Sequence, residues 1–303
     1  MAIESWKPGE RYVVGVIVEN NGKYFKCNKD HVSQAEFDKY RFDKIKYYVH
    51  EENPKEAEVE VNNGQKYTII TSMDKEYYNN CGKAMLQSWK RHATNIGDFW
   101  LYNEQLFEPK VKGVNKAGWM LGPEYVKFQR RHTNHKIKTF AKKAFPIIDA
   151  MERLDCDRLV WVDADCVFTN NIPRMLLELI SPDDTLSSHF SVWHEQNGKT
   201  YHSCETGFFI LNKRHPGYSD FCNDYKDIYY NDKTDGLRRF YDGEVYGKCV
   251  ELAEARGHKV LNLNPGKHKT PISRSIIAPY ISHFKAGLKE NIDFSKFLDS
   301  DEI

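Results

Sequence analysis

The chain reads as an α/β protein with a mostly parallel sheet flanked by helices, preceded by a small all-β module. Three observations predict this. Short apolar runs without alternation recur along the chain at Lys66–Thr71, Phe99–Tyr102, Arg158–Val162 and Thr206–Asn212. Such runs suit strands covered on both faces. Segments of helical spacing separate them. Two β-rich runs near the N-terminus flank Asn21-Gly22, a strong hairpin signal.

Composition bounds the problem. Hydrophobic residues make up 40% of 303, enough for a substantial core and too many for wholesale disorder. A formal net charge of +1 gives no global field favouring nucleic acid. The seven cysteines are odd in number and lack C-x-x-C spacing. That pattern suits reduced thiols in a cytosol better than a disulfide framework or a zinc knuckle. The N-terminus has no apolar signal core, and no run approaches the ~18 apolar residues a membrane span needs. The expectation is a soluble, cytoplasmic protein with no membrane span.

Residues 1–50 read as a separate β module. Val13–Val18 and Tyr24–Cys27 would form the hairpin around Asn21-Gly22. Residues 51–65 are acidic, contain Pro54 and read as a linker or an edge hairpin. The larger domain then spans 66–303. Lys66–Thr71 is its first strand. Tyr78, Cys81, Met85, Leu86 and Trp89 recur at helical spacing, and Phe99–Tyr102 is the second strand. No G-x-G-x-x-G and no G-x-x-x-x-G-K-[ST] follows, so neither a dinucleotide fold nor a P-loop is supported. Residues 107–135 show no clear pattern. Phe140, Ala144, Ile147, Ile148 and Met151 predict a helix that Pro146 should kink or begin. Tyr218–Tyr229 and Val245–Ala253 predict two more helices, and Lys259–Leu263 a late strand.

The stretch Arg158-Leu-Val-Trp-Val-Asp163-Ala-Asp165 carries the chemistry. Two carboxylates stand where a buried strand should end. If the backbone stays extended there, Asp163 and Asp165 point to one side. Adjacent carboxylates repel unless a cation or a shared proton neutralises them. Their hard oxygens suit Mg2+ or Mn2+, which keep positions free for a phosphate. The C-terminal end of a parallel strand is also where open α/β sheets bind ligands. A D-x-D metal site holding a diphosphate is the hypothesis.

Further residues join it in order: Thr71-Ser72 with Tyr77-Tyr78, Lys143, Asp163-Ala164-Asp165, Glu205-Thr-Gly207-Phe-Phe-Ile-Leu, Asp242, and His283-Phe-x-x-Gly287-x-Lys289. With these, residues 66–290 resemble the GT-A fold glycosyltransferases, nearest the glycogenin-like family 8 and the galactosyl/mannosyltransferase family 34. The spacing of Gly287 departs by one from the family 8 ending. The resemblance implies a hexosyltransferase using a nucleoside diphosphate sugar, usually a UDP-sugar, with retention at the anomeric carbon. It implies that Asp163, Asp165 and His283 hold Mn2+ (or Mg2+), the imidazole favouring Mn2+. Lys289 and Lys143 would neutralise the diphosphate, with Ala164 between the two acids on the donor. Thr71, Ser72, Tyr77 or Tyr78 would frame the base and ribose. Asp242 and Glu205 would lie nearest the sugar. The acceptor stays open among a glycan, a protein and modified DNA.

Trp6, Tyr12, Gly15, Val18, Asn21-Gly22-Lys23, Tyr24, His31, Ser33 and Phe37 resemble chitin-binding type 3-like modules of viral tail and surface proteins. That implies a viral source, hence a host cytoplasm, and aromatic contact with sugar; a purely structural β module fits the same residues. Two rival functions exist. Asp163-Ala-Asp165-Cys-Val167 also fits the D-x-D-x-[TV] of a haloacid-dehalogenase-like phosphatase, with Asp183-Asp184 as its second acidic pair. A non-catalytic carbohydrate-binding viral protein on a transferase fold is the other.

Overall fold

The computed structural model describes residues 65–103, 107–117, 122–266, 271–284 and 294–298, and the backbone of six short strands before residue 46. The chain divides into two compact units, Met1–Asn62 and Asn63–Ile303. In the first, β1 (Glu4–Ser5), β3 (Ile17–Asn20), β4 (Lys23–Cys27) and β6 (Phe42–Ile45) form a sheet in the order β1-β3-β4-β6. The strands β2 (Arg11–Tyr12) and β5 (His31–Val32) pair separately. Asn20 lies opposite Lys23 in an antiparallel pair, so two residues connect β3 to β4, as Asn21-Gly22 predicts. The aromatic side chains on which the sugar-binding expectation rests, and the linker at 51–64, lie outside the described residues.

The second unit runs β7 (Tyr67–Met73), α1 (Lys75–Tyr77), α2 (Lys83–His92), β8 (Gly97–Asn103), β9 (Val114–Ala117), α3 (Pro123–Arg131) and α4 (His135–Arg153). It continues with β10 (Arg158–Val162), β11 (Cys166–Phe168), α5 (Arg174–Ile180), β12 (Ser187–Gln196), β13 (Lys199–Asn212), α6 (Tyr218–Asn231), α7 (Asp242–Ala255), β14 (Val260–Asn262) and β15 (Ile281–His283). Seven strands make one sheet in the order β14-β12-β13-β10-β7-β8-β9. All neighbours are parallel except the two pairs that β13 makes, with β10 and β12.

Strand alternation splits the core. Leu159 and Trp161 of β10 enter the cluster that includes Ala144, Ile148, Tyr225 and Val245 from α4, α6 and α7. Val160 and Val162 enter the cluster with Met85, Leu86 and Leu177 from α2 and α5. Both faces are covered, which is why the strand shows no polar alternation. β11 and β15 form a two-stranded ribbon apart from the main sheet.

Three local expectations need correction. Pro146 does not begin its helix: α4 begins at His135, capped by Asn134 Oδ1 accepting from the Lys136 and Ile137 amides, and Pro146 lies inside it. The helix predicted across Tyr78–Trp89 contains a π-helical turn, Tyr78–Gly82, between α1 and α2. The unpatterned region 107–135 yields β9 and α3. A further strand, β12, was not predicted. It turns into β13 at Asn197-Gly198, both at positive φ, with Gln196 opposite Lys199. That is a second Asn-Gly hairpin.

Candidate active site

The two aspartates converge through a turn and not through the pleat. β10 stops at Val162, the Asp163 amide donates to the Gly207 carbonyl at 2.9 Å, and the Cys166 amide returns to the Asp163 carbonyl at 2.9 Å. The extended geometry expected for Asp163–Asp165 is therefore replaced by a tight reversal. It leads into β11, where Cys166 lies opposite His283 of β15. The Phe284 amide donates to the Asp165 carbonyl at 3.1 Å, which locks this crossing.

That pairing carries the His283 imidazole to the acids. Its Nε2 is 3.2 Å from Asp165 Oδ1 and 3.8 Å from Asp163 Oδ2. Gly207 makes room for the ring, because a Cβ there would stand 2.5 Å from His283 Cε1. No L side chain fits at that distance. On the far side of the ring, Nδ1 has no hydrogen bond, and Glu205 Oε1 stands 3.8 Å away while accepting from the Gly207 amide at 3.1 Å.

Lys143 projects from α4 into the other side of the cluster. Its Nζ donates to Asp163 Oδ1 at 2.6 Å, reaches Asp242 Oδ2 at 3.2 Å, and also donates to the Thr206 carbonyl. Burial pushes the Lys143 pKa down, but Asp163 and Asp242 more than offset it, so it stays raised and the ammonium stays charged. Asp163 Oδ1 also accepts from Trp161 Nε1 at 2.7 Å. Asp242 is the first residue of α7 and not its N-cap, a position held by Tyr241. Its Oδ2 accepts from Thr206 Oγ1 at 2.6 Å. One lysine thus bridges the D-x-D and the helix-opening carboxylate.

The remaining predicted residues divide. Tyr77 Oη donates to Asp165 Oδ2 at 3.1 Å, and burial followed by the Asp165 charge raises its pKa, keeping it a donor. Tyr78 turns away: it is buried, packs on Phe107 and accepts from the Lys110 amide. Thr71 is wholly buried, and its Oγ1 has no hydrogen bond. Ser72 Oγ donates to the Lys142 carbonyl. The Ala164 side chain is buried in the apolar cluster beneath the turn. Lys289 lies outside the described residues. Two contributors were not singled out from sequence. Trp161 precedes Asp163 by two positions, so i, i+2 alternation is an available signal; Thr206 stands inside the Glu205–Leu211 motif without a role of its own.

Ligand atoms of Asp165, Cys166 and His283 lie within 4.8 Å of one another, and Asp163 joins them through its 3.8 Å approach to His283 Nε2; the carboxylates suit a hard divalent ion. Octahedral ions with metal–oxygen bonds near 2.1 Å bring neighbouring donors to about 3 Å. The 3.2 and 3.8 Å separations around His283 Nε2 are close to that. Cys166, next in the chain, offers a thiol, a softer donor that a hard ion takes after carboxylate oxygen; its Sγ donates to the Gly207 carbonyl. The phosphatase alternative loses its second acidic pair. Asp183 ion-pairs with Arg158 and Asp184 with Lys259. Arg158 opens β10, whose other end leads to Asp163, so the length of the strand separates the two pairs.

No protein-family model matches the chain, and no curated protein sequence does. Several solved structures resemble it at low identity. The WbbM bifunctional glycosyltransferase in its apo form is 12% identical with a TM-score of 0.48, over 77% of this chain and 49% of that one. This chain therefore spans about half the length of that protein. The galactosyltransferase LgtC, in complex with donor and acceptor sugar analogs, is 13% identical with a TM-score of 0.44, over 76% and 94% of the two chains. Mouse xyloside xylosyltransferase 1 in its apo form is 13% identical with a TM-score of 0.45, over 72% and 97%. Likeness at this level leaves the reading of the site to its own geometry.

Proposed function

We propose that the protein is a metal-dependent GT-A type glycosyltransferase. It would move a hexose from a nucleoside diphosphate sugar, in the first instance a UDP-sugar, to an acceptor. The observation that carries this reading is the meeting of Asp163, Asp165 and His283 beyond the C-terminal end of β10, with Lys143 and Asp242 beside them. Parallel sheets bind ligands at that end. Two acids, an imidazole and a buried ammonium suit a diphosphate and its cation.

Within this reading, Asp163, Asp165 and His283 hold Mn2+ or Mg2+. When bound, the ion offsets charge on the departing diphosphate. The chain's own residues do the rest. Tyr77 fixes the rotamer of Asp165 through its hydroxyl. Lys143 holds Asp163 and Asp242 in register, leaving Asp242 aimed at the sugar while Thr206 steadies it. Glu205 sits behind the His283 ring, 3.8 Å from Nδ1, where its charge favours a proton on that nitrogen and leaves Nε2 for the ion.

The site's described residues all belong to the second unit, and we assign the chemistry to that unit and an accessory role to residues 1–62. Among the described residues, no helix is long and apolar enough to cross a membrane. A thermal-shift panel of nucleoside diphosphate sugars, with and without Mn2+, tests the reading. A ligand that binds the native state raises the melting temperature. A Mn2+-dependent rise with UDP-sugars is expected, in the full chain and in a chain beginning at residue 60. No response to any nucleotide sugar overturns it.

A further inference from the structure

A second cluster of metal-ligating side chains lies on the hairpin of β12 and β13, outside the site described above. The register places Ser191 opposite Cys204 and Trp193 opposite His202. Pairing breaks between Ser188 and Phe190, at His189. Such breaks re-aim the side chain they carry. The result is convergence. His189 Nε2 is 3.1 Å and His202 Nε2 3.0 Å from the same Ser191 hydroxyl, and Cys204 faces that serine from the partner strand. Ligand atoms of His189, His202 and Cys204 all lie within 4.8 Å of one another.

We propose that His189, His202 and Cys204 form a second metal site, selective for zinc-like ions and distinct from the aspartate site. Donor chemistry gives the selectivity. Two imidazoles and a thiolate are borderline-to-soft ligands that suit Zn2+, whereas carboxylates suit Mg2+ and Mn2+. Tetrahedral zinc, with bonds of about 2.0–2.3 Å, draws its donors to roughly 3.5 Å apart. Side-chain rotation closes that gap, with the Ser191 hydroxyl swinging aside and the Cys204 proton passing to solvent.

Two further observations point the same way. Glu251 Oε1 of α7 lies 3.5 Å from His202 Nδ1. A carboxylate on the far nitrogen of a ligating histidine fixes its tautomer and leaves Nε2 for the metal. Behind the cluster is a cavity of about 240 Å³ lined by His189, Ser191, His202, Glu251 and Glu254. It gives the ion an entry path from the histidine side and supplies a fourth ligand from Glu254 or solvent. Bound there, zinc ties the β12–β13 hairpin to α7, the helix that opens with Asp242. This inference does not depend on the transferase reading.

Cobalt reports the site. The full chain, stripped with a chelator and titrated with Co2+, should show a near-ultraviolet thiolate-to-cobalt absorption that saturates at one equivalent. The band should persist in Asp163→Asn/Asp165→Asn protein and vanish in Cys204→Ser. Glu251→Gln should weaken Zn2+ binding at least 10-fold. If Cys204→Ser lacks a cooperative melt, His202→Ala takes its place, with the band lost or binding weakened at least 10-fold. Absence of the band in the unsubstituted protein, or its survival in Cys204→Ser, overturns the proposal. Loss of the band with the two aspartates also overturns it, because the thiolate is then Cys166.

Discussion

Ser72 Oγ donates to the main-chain carbonyl of Lys142 at 3.1 Å. That carbonyl is four residues before Pro146, which has no N–H to offer it. The serine therefore supplies the donor that the proline withholds, and β7 is tied to α4 at the level of the site. Ser72→Ala should cost about 1 kcal/mol. It should cost distinctly less alongside Pro146→Ala, where the alanine amide serves the same carbonyl. Urea unfolding of the four proteins measures this coupling; additive effects would show that the two residues act separately.

The aspartate site makes the strongest demand on activity. Asp163→Asn, Asp165→Asn and His283→Ala should each lower kcat/KM at least 100-fold while leaving a cooperative melt. Chelation should stop transfer, and Mn2+ should restore it. Undiminished turnover in EDTA would sink the metal-dependent reading.

Lys143 is the internal cation of the site, with a side chain 12% exposed and two carboxylates within 3.2 Å. Removing one member of a buried ion pair costs about 3–5 kcal/mol because the other is left uncompensated. Lys143→Met should lose stability of that order in metal-free protein. A divalent ion can then take over the neutralisation, so Mn2+ should raise the melting temperature of the variant more than that of the unsubstituted chain. An equal or smaller rise would mean that the lysine and the ion do not share this charge.

Much of the fold is legible because burial on both faces leaves apolar runs with no alternation; β7, β8, β10 and β13 show this. β12 is not, for a physical reason. Ser187, Ser188, His189 and Ser191 are all buried in it, so its interior half looks like a loop. Its turn, Asn197-Gly198, was the usable signal. In the site, the residue types are legible: paired acids after a strand, a lysine, a carboxylate opening a helix, a late histidine. What brings them together is not. The Asp163–Gly207 hydrogen bond and the Cys166–His283 register are long-range pairings that no local pattern encodes. The fate of Ser72 depends likewise on a proline in another element.

Acid should weaken the metal-free protein through His189. Burial lowers its pKa to about 3 in the folded state, against about 6.5 unfolded. Between these values the unfolded chain binds the extra proton, so stability rises with pH across the window. The contribution is complete above about pH 6.5 and is lost as pH falls toward 3, at up to about 1.4 kcal/mol per unit. His202 is shifted in the same direction, also by burial. Between pH 6.5 and 5, where ordinary carboxylates stay ionised, His189→Gln should flatten the unfolding free energy of chelated protein. An unchanged slope would mean that this imidazole is charged at little cost.

The last prediction is stereochemical. Sugar transfer passes through an oxocarbenium-like state, and the outcome depends on the face from which the acceptor attacks. Inversion needs a carboxylate base opposite the diphosphate. Retention needs either a carboxylate nucleophile on that face or attack from the diphosphate's own side. Asp242 and Glu205 were the carboxylates expected near the sugar, and the structure treats them differently. Glu205 is engaged by the Gly207 amide and stands behind the His283 ring, on the side away from the aspartates. Asp242 shares Lys143 with Asp163 and presents its carboxylate to the aspartate side. The resemblance to families 8 and 34 implies retention, and of the two carboxylates Asp242 is the one on the aspartate side. If Asp242 is a nucleophile, Asp242→Ala should abolish transfer while donor binding persists, and azide should restore some turnover. Attack from the diphosphate side predicts a smaller loss and no rescue. Glu205→Gln should in either case act through His283, weakening Mn2+ affinity more than it lowers kcat at saturating metal. Product NMR decides the main claim, since a β-linked product from an α-linked donor means inversion and makes Asp242 a general base.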